Sequence, residues 1–230
     1  NPKLAYLIPN FQNPTGLTYS KENREAVFDV IKDYDMILIQ DDPYGELRFE
    51  DTPRVPYIGL NKTKKNIYLG SFSKIVTPGM RLGYIIADKE IIKMIETAKQ
   101  ASDLHSNVFG QYLIADYLLH NDLDKHIEKI KKLYKSQANA MVAAMEEYFP
   151  KEVTFTKPKG GMFTWVTLKE GTNVLELFDK AIAKKVAFVP GHPFYVKPEN
   201  VNTLRLNYTN ANEETIKEGI KRLAEAMKEI

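Results

Sequence analysis

The sequence contains no cysteine, and this absence excludes disulfide scaffolds, thiolate zinc sites and cysteine nucleophiles. It fits a reducing compartment, so we expect a cytoplasmic protein. The sequence also lacks a large excess of either charge. It has 32 basic and 30 acidic side chains, and its formal net charge is +2. Such a balance favours neither nucleic acid nor a membrane surface as partner. A small molecule is the expected ligand.

Long apolar runs are also missing, since no stretch approaches the roughly 18 residues that a membrane span needs. Histidine is scarce, and its four positions share no metal-ligand spacing, so we expect no metal site. These positions are His105, His120, His126 and His192. With 230 residues and 43% hydrophobic content, the composition is that of a globular protein with one large or two small domains.

The first ninety residues alternate short β-branched runs with helical patterns. A helix is predicted over 20–34, with Ser20 as its N-cap. The predicted strands are apolar on both faces, as parallel strands covered by helices on each side must be. They lie at 5–8, 36–39, 66–69 and 82–86. The pattern therefore predicts an α/β fold with a mostly parallel sheet and helices on both faces.

The later part of the chain changes character. Residues 88–149 are helical in pattern and end in a long helix from about Asn121 to just before Pro150. Beyond it, strands and helices are both short, with strands at 163–167, 187–189 and 203–207 and helices at 173–185 and 212–230. We expect the sheet domain over 1–120, a long connecting helix over 121–149 and a small α+β domain over 150–230.

Polar side chains follow the first three predicted strands at the point where each ends. They lie in the segments Asn10 to Gly16, Asp41 to Tyr44 and Ser71 to Lys74. Ligands bind at the carboxyl ends of parallel strands. Taken singly, these segments could be a turn, solvated loop acids and a surface lysine. Their coincidence on one edge, with Arg81 seven residues after Lys74, favours an anionic aromatic cofactor that bears an aldehyde.

Six motifs extend over nearly the whole chain. They are Asn13-Pro14-Thr15-Gly16, Asp41-Asp42-Pro43-Tyr44-Gly45-Glu46, Ser71-Phe72-Ser73-Lys74 with Pro78-Gly79-Met80-Arg81-Leu82-Gly83, Lys159-Gly160-Gly161-Met162-Phe163, Val189-Pro190-Gly191 and Leu204-Arg205-Leu206. Through them the sequence resembles the fold-type I aminotransferases of class I/II, and within these the 2-aminoadipate, kynurenine and aromatic subgroup. The resemblance implies a homodimeric enzyme that uses pyridoxal 5'-phosphate to move an amino group between an amino acid and a 2-oxo acid.

The resemblance assigns the central chemistry to Lys74 and Asp41. Lys74 would carry the cofactor as a Schiff base and, once displaced by the substrate amine, would move the proton. Asp41 would pair with the pyridine nitrogen and keep it protonated, because an adjacent carboxylate favours the charged form. Asp42 is the alternative. We choose Asp41 because the family spacing places this acid three residues before Tyr44.

Further residues are assigned to the cofactor by the same resemblance. Tyr44 and Asn13 would hydrogen-bond the phenolic oxygen of the ring. The phosphate would be held by Ser71, Ser73 and Arg81, the arginine through charge-assisted bonds.

Arg205 resembles the arginine that binds the substrate α-carboxylate, with Asn13 as a second substrate contact. The alternating run 204–208 leaves the leucines on one strand face and this arginine on the other. A surface arginine on that polar face is the alternative. Trp165, on another predicted strand, is expected to pack in the core or in an interface.

The resemblance is incomplete at the front of the chain. Family members carry, before the Asn-Pro-Thr-Gly motif, a glycine-containing phosphate loop and the aromatic side chain that stacks on the pyridine ring. We therefore expect the chain to be a fragment of the enzyme, inactive alone. Two other hypotheses stay open: a carbon–sulfur β-lyase with the same cofactor and lysine, and a binding or dimerisation module without turnover.

Overall fold

The computed structural model describes residues 2–50, 56 and 65–230. Contacts between residues divide the chain into two compact units. The first comprises Asn1–Asn10 with Thr18–Ile130, and the second comprises Phe11–Leu17 with Lys131–Ile230. The short segment with the Asn-Pro-Thr-Gly motif thus belongs with the C-terminal part of the chain. This division does not test the predicted domain boundaries at residues 120 and 149, which stay predictions.

The first unit has an α/β arrangement. Its strands are β1 Leu4–Leu7, β2 Ile37–Asp41, β3 Asn66–Ser71 and β4 Gly83–Ile86. Its helices are α1 Lys21–Ile31, α2 Lys89–Ser102 and α3 Val108–His120. Ser20 caps α1 as predicted, because its side chain accepts a hydrogen bond from the backbone N–H of Asn23. The long helix α4, Leu123–Tyr148, begins in this unit and continues into the second.

The strands of the first unit form one sheet in the order β1-β2-β3-β4. The pairs β1·β2 and β2·β3 are parallel, whereas β4 runs antiparallel to β3. The reason is the short connection from Ser71 to Gly83, because a parallel crossover needs a dozen or more residues and usually a helix. The mostly parallel sheet is confirmed.

Burial within this sheet is uneven. Leu38 of β2 and Tyr68 of β3 are buried in its centre. All four residues of the edge strand β4 are exposed, and in β1 exposed and half-buried residues alternate. Side chains of these two edge strands are therefore less covered in this chain than those of β2 and β3. In the part of the chain that the structure describes, no helix combines the length and apolar character of a membrane span.

The second unit is built on an antiparallel sheet. Its strands are β5 Thr154–Phe155, β6 Phe163–Thr167, β7 Val189–Pro190 and β8 Thr203–Asn207, in the order β5-β6-β8-β7. Its helices are α5 Val174–Ala183 and α6 Glu213–Met227, with a 3-10 turn at His192–Phe194. Leu204 and Leu206 of β8 are buried while Arg205 between them is only half-buried. The alternation predicted for this strand is thus confirmed.

Candidate functional site

The carboxyl ends of two neighbouring strands carry the polar residues of the first unit. Strand β2 ends at Asp41 and strand β3 ends at Ser71, and the two strands are parallel, with Asp41 opposite Leu69. The backbone N–H of Asp42 continues this pairing by donating to the carbonyl of Leu69 at 2.9 Å. Both strand ends therefore open on the same edge of the sheet, where ligands of α/β proteins bind.

The turn between β3 and β4 brings two hydroxyl groups and a guanidinium together. The backbone N–H of Ser73 donates to the Ser71 hydroxyl at 3.1 Å, and Arg81 donates to the Ser73 hydroxyl at 3.2 Å. Arg81 also donates to the carbonyl of Pro78 at 3.2 Å. Hydroxyls, backbone N–H groups and an exposed arginine are suited to an anionic phosphate.

The backbone of this turn is tightly specified. Arg81 has a positive φ of 54°, a left-handed conformation that costs a non-glycine residue roughly 1–2 kcal/mol. At the next strand, a Cβ on Gly83 would lie 2.7 Å from the carbonyl oxygen of Gly70. Only glycine allows that close pairing of β3 and β4. Arg81 thus has a strained backbone conformation, and its side chain donates to the Ser73 hydroxyl.

Lys74 lies in a single helical turn next to these hydroxyls. The backbone N–H groups of Val76 and Thr77 both donate to the carbonyl of Phe72, at 2.9 and 3.1 Å, and close the turn. The lysine is half-buried, and the following residue, Ile75, is buried. Among the residues that the structure describes, Lys74 forms no ion pair. An amine that no carboxylate holds can become a nucleophile toward an aldehyde.

The two adjacent acids at the end of β2 have different environments. Asp42 is only 5% exposed and accepts hydrogen bonds from Asn10 at 2.8 Å, Tyr68 at 3.1 Å and Gln40 at 3.4 Å. The view of Asp42 as a solvated loop acid was therefore wrong. Asp41 is half-buried and accepts from the Tyr6 hydroxyl. Of the two carboxylates, Asp41 is the one with access to a ligand.

A buried polar network fixes Asp42 from behind. Arg24, only 4% exposed, donates to the side-chain oxygen of Asn10 at 2.6 Å and to the carbonyl of Pro9 at 2.9 Å. The amide group of Asn10 is thereby oriented with its N–H toward Asp42. On the other side, a Cβ on Gly45 would lie 2.4 Å from an Asp42 oxygen, so this position requires glycine. Sequence reasoning missed this network because its members come from separate segments.

Tyr6 and Tyr44 lie near Asp41. Although about half of the Tyr6 side chain is exposed, loss of water around its hydroxyl raises the pKa of Tyr6, and the hydrogen bond to Asp41 and the charge of Asp41 raise it further. Tyr6 is therefore a neutral donor at physiological pH. Strand pairing explains why Tyr6 lies beside Asp41. Asp41 lies on the same face of β2 as Ile39, and Ile39 is the cross-strand partner of Tyr6.

Tyr44 is 6% exposed, and its carbonyl accepts a hydrogen bond from the N–H of Leu47 at 2.8 Å, which closes the turn after β2.

The second unit contains the other two predicted site residues. The Asn13 side-chain oxygen accepts from the Arg205 guanidinium at 2.6 Å. The loop of Asn13, whose peptide bond to Pro14 is cis, is held to the sheet because Thr156 donates to the carbonyl of Thr15 at 2.9 Å. Gly16 has a φ of 70°. A Cβ there would lie 2.6 Å from the carbonyl oxygen of Phe163.

Arg205 is not a surface arginine. Its guanidinium carbon lies 4.2 Å from the ring centre of Phe163 and 5.4 Å from that of Phe194. The Trp165 ring meets the Phe194 ring edge-on, with centres 5.6 Å apart. Trp165 was predicted to pack, and in the structure it packs against Phe194, which lies beside Arg205.

The donor set fits pyridoxal phosphate. The first unit offers hydroxyls and an arginine for the phosphate, an amine for the aldehyde and a carboxylate for the pyridine nitrogen. The structure brings Ser71, Ser73 and Arg81 into direct contact. Their roles toward the cofactor, like those of the other named residues, stay predictions. Within the described residues, no group of three or more His, Asp or Glu side chains is arranged to hold a metal ion.

Comparison with known proteins assigns this arrangement to a family. The family described as aminotransferase class I and II matches residues 5–223. Aromatic-amino-acid aminotransferase 1 of Thermococcus litoralis is 46% identical over 227 residues, which are 99% of this chain and 54% of that protein. The 2-aminoadipate transaminase of Thermus thermophilus is 38% identical, over 99% of this chain and 58% of that protein.

Solved structures agree with these sequence matches. The crystal structure of kynurenine aminotransferase from Pyrococcus horikoshii, in complex with PMP, superposes with a TM-score of 0.94 at 46% identity. The match covers 99% of this chain and 56% of that one. The predicted resemblance and fold are confirmed. The chain spans about half the length of the curated relatives it matches.

Proposed function

Because the chain belongs to the class I and II aminotransferase family, we propose that the protein transfers an amino group between an amino acid and a 2-oxo acid, with pyridoxal phosphate as cofactor. The observation that carries this proposal is the edge of the first unit, where the half-buried Lys74 directly follows Ser73, and Ser73 contacts both Ser71 and Arg81. When bound, the cofactor supplies a reversible covalent link to amines and an electron sink.

The residues at the sheet edge have different proposed roles. Ser71, Ser73 and Arg81 bind the phosphate and fix the cofactor in position. The Lys74 amine would hold the cofactor covalently and, once displaced by the substrate amine, would move a proton between the substrate Cα and C4′ of the cofactor. Asp41 keeps a proton on the pyridine nitrogen, since a neighbouring carboxylate favours the charged ring.

In the second unit, Arg205 binds the substrate α-carboxylate. Its planar guanidinium can donate two parallel hydrogen bonds to a carboxylate, and Asn13 already holds one of its nitrogens at 2.6 Å. Aromatic amino acids, kynurenine and 2-aminoadipate are the substrate classes that the names of the relatives suggest. A homodimer is part of the same proposal.

A half-reaction tests the proposed function. The full-length protein, loaded with pyridoxal phosphate, is mixed with phenylalanine, 2-aminoadipate or kynurenine and no acceptor. We expect about one equivalent of 2-oxo acid per site, and continued turnover only after a 2-oxo acid is added. A β-lyase would instead release pyruvate from a cysteine conjugate continuously and without an acceptor. Acceptor-independent turnover would contradict the proposal.

A further inference from the structure

The strongest unassigned feature is the aromatic surrounding of Arg205. Strand β8 lies between β6 and β7. Trp165 is the direct cross-strand partner of Arg205, so the two side chains leave the sheet on the same face. Phe163 lies two residues before Trp165 and therefore on that face too, diagonal to Arg205. Phe194 reaches the same guanidinium from the 3-10 turn after β7.

The distances give these rings an electrostatic role. Both Phe163, at 4.2 Å, and Phe194, at 5.4 Å, lie within the roughly 6 Å at which an aromatic face attracts a cation. The Phe194 ring is fixed in turn, because Trp165 meets it at an interplanar angle of 81°. These contacts restrain a side chain that would otherwise have several flexible torsions.

Asn13 completes the restraint from the edge of the guanidinium. Its side-chain oxygen accepts one N–H of Arg205 at 2.6 Å, while the aromatic rings contact the guanidinium through their faces. An arginine held in this way loses little rotational freedom when it binds a planar anion. The arrangement is thus prepared for one carboxylate in one orientation.

We propose that Phe163 and Phe194 are positioning residues that orient the Arg205 guanidinium for the substrate carboxylate, with Trp165 fixing Phe194. The inference rests on the proposed role of Arg205 in carboxylate binding. Phe194 is the better residue to change, because it is half-buried whereas Phe163 is 7% exposed and part of the core.

The test compares two ligands that differ only in the carboxylate. Binding of 3-phenylpropionate and of 3-phenyl-1-propanol to the full-length protein with bound cofactor is measured by calorimetry, which needs no turnover. For Phe194→Leu we expect the acid to bind roughly five- to thirty-fold more weakly and the alcohol to change by less than about two-fold. Phe194→Tyr keeps the ring and should retain the acid affinity. Trp165→Phe should give a smaller loss in the same direction.

Phe178→Leu is the matched control. Phe178 is half-buried in the same unit and meets Phe188 edge-on, with ring centres 5.3 Å apart, as Phe194 meets Trp165. We expect it to leave the acid-to-alcohol ratio unchanged. Equal losses for both ligands in Phe194→Leu, no loss for the acid, or equal binding of both ligands by the wild-type protein would each overturn the inference.

The proposed function and this inference can be refuted independently of each other. If the wild-type protein discriminates between acid and alcohol through Phe194 but transfers no amino group, the inference stands and the transaminase proposal falls. If amino-group transfer is intact and Phe194→Leu leaves the ratio unchanged, the reverse holds.

Discussion

Replacing Asp42 by asparagine should destabilise the protein far more than the same change at Asp41. Asp42 is 5% exposed and accepts from Asn10, Tyr68 and Gln40. An asparagine can still accept from Asn10, but its amide nitrogen then faces the donors of Tyr68 and Gln40. The Tyr68 hydroxyl can turn and accept, whereas the Gln40 N–H loses its acceptor.

The magnitude follows from the bonds that change. A hydrogen bond to a charged group contributes about 1.5–3 kcal/mol and a neutral one about 0.5–1.5 kcal/mol, and an unsatisfied buried donor costs about 1–3 kcal/mol. We therefore expect Asp42→Asn to lower the free energy of unfolding by about 2–4 kcal/mol. For the half-buried Asp41, whose partner is Tyr6, we expect a loss of about 1 kcal/mol or less.

The assay separates stability from catalysis. Urea unfolding of the full-length protein is followed by circular dichroism after removal of the cofactor, because bound ligand adds to apparent stability. Turnover is measured on the loaded protein below the transition. Asp41→Asn should keep cofactor binding and lower turnover sharply, whereas Asp42→Asn should lower stability and affect turnover much less. An exchange of these effects would show that the assignment of the two acids is off by one residue.

Three other changes test further parts of the structure. Arg205→Lys keeps the charge but loses the planar fork, so it should weaken binding of amino and 2-oxo acids while the cofactor absorbance is unchanged. Unchanged affinity in that titration would place the carboxylate site elsewhere. The 230-residue chain alone should not transaminate, because it spans only about half the length of its relatives and exposes apolar side chains of its sheet such as Tyr6 and Ile86. Turnover by a homogeneous sample of this length would refute that expectation. Gly16→Ala should destabilise the protein by about 1–3 kcal/mol, because φ is 70° and the added Cβ would meet the Phe163 carbonyl. If Gly16→Ala had the same unfolding midpoint as the wild-type protein, that result would argue against this packing.

Sequence patterns predicted those elements whose periodicity is local. Strands β6 and β8 were predicted with the bounds that the structure gives them, because leucine and arginine alternate clearly in β8 and aromatic and β-branched residues make up β6. The two-residue strand β5 was missed because it is too short for any periodicity. The antiparallel direction of β4 depends on the length of its connection rather than on its own residues.

The candidate site shows the same limit. Family motifs pointed to Lys74 and Arg205, but they did not show how the neighbours of these residues are arranged. The burial of Asp42 depends on strand register and on Arg24, which lies on a different element. The rings around Arg205 depend on the pairing of β6 with β8, and on the turn that carries Phe194. Such contacts between distant segments cannot be read from local sequence.

The most direct test of the account is to find the lysine that carries the cofactor. The full-length protein loaded with pyridoxal phosphate is reduced with borohydride, digested and analysed by mass spectrometry. We expect the reduced cofactor on the peptide that contains Lys74, and no visible band of lysine-bound cofactor in Lys74→Ala. Lys65, exposed and paired with Asp35, is the matched control, and Lys65→Ala should keep the band. A reduced adduct on any lysine other than Lys74 would contradict the site assignment.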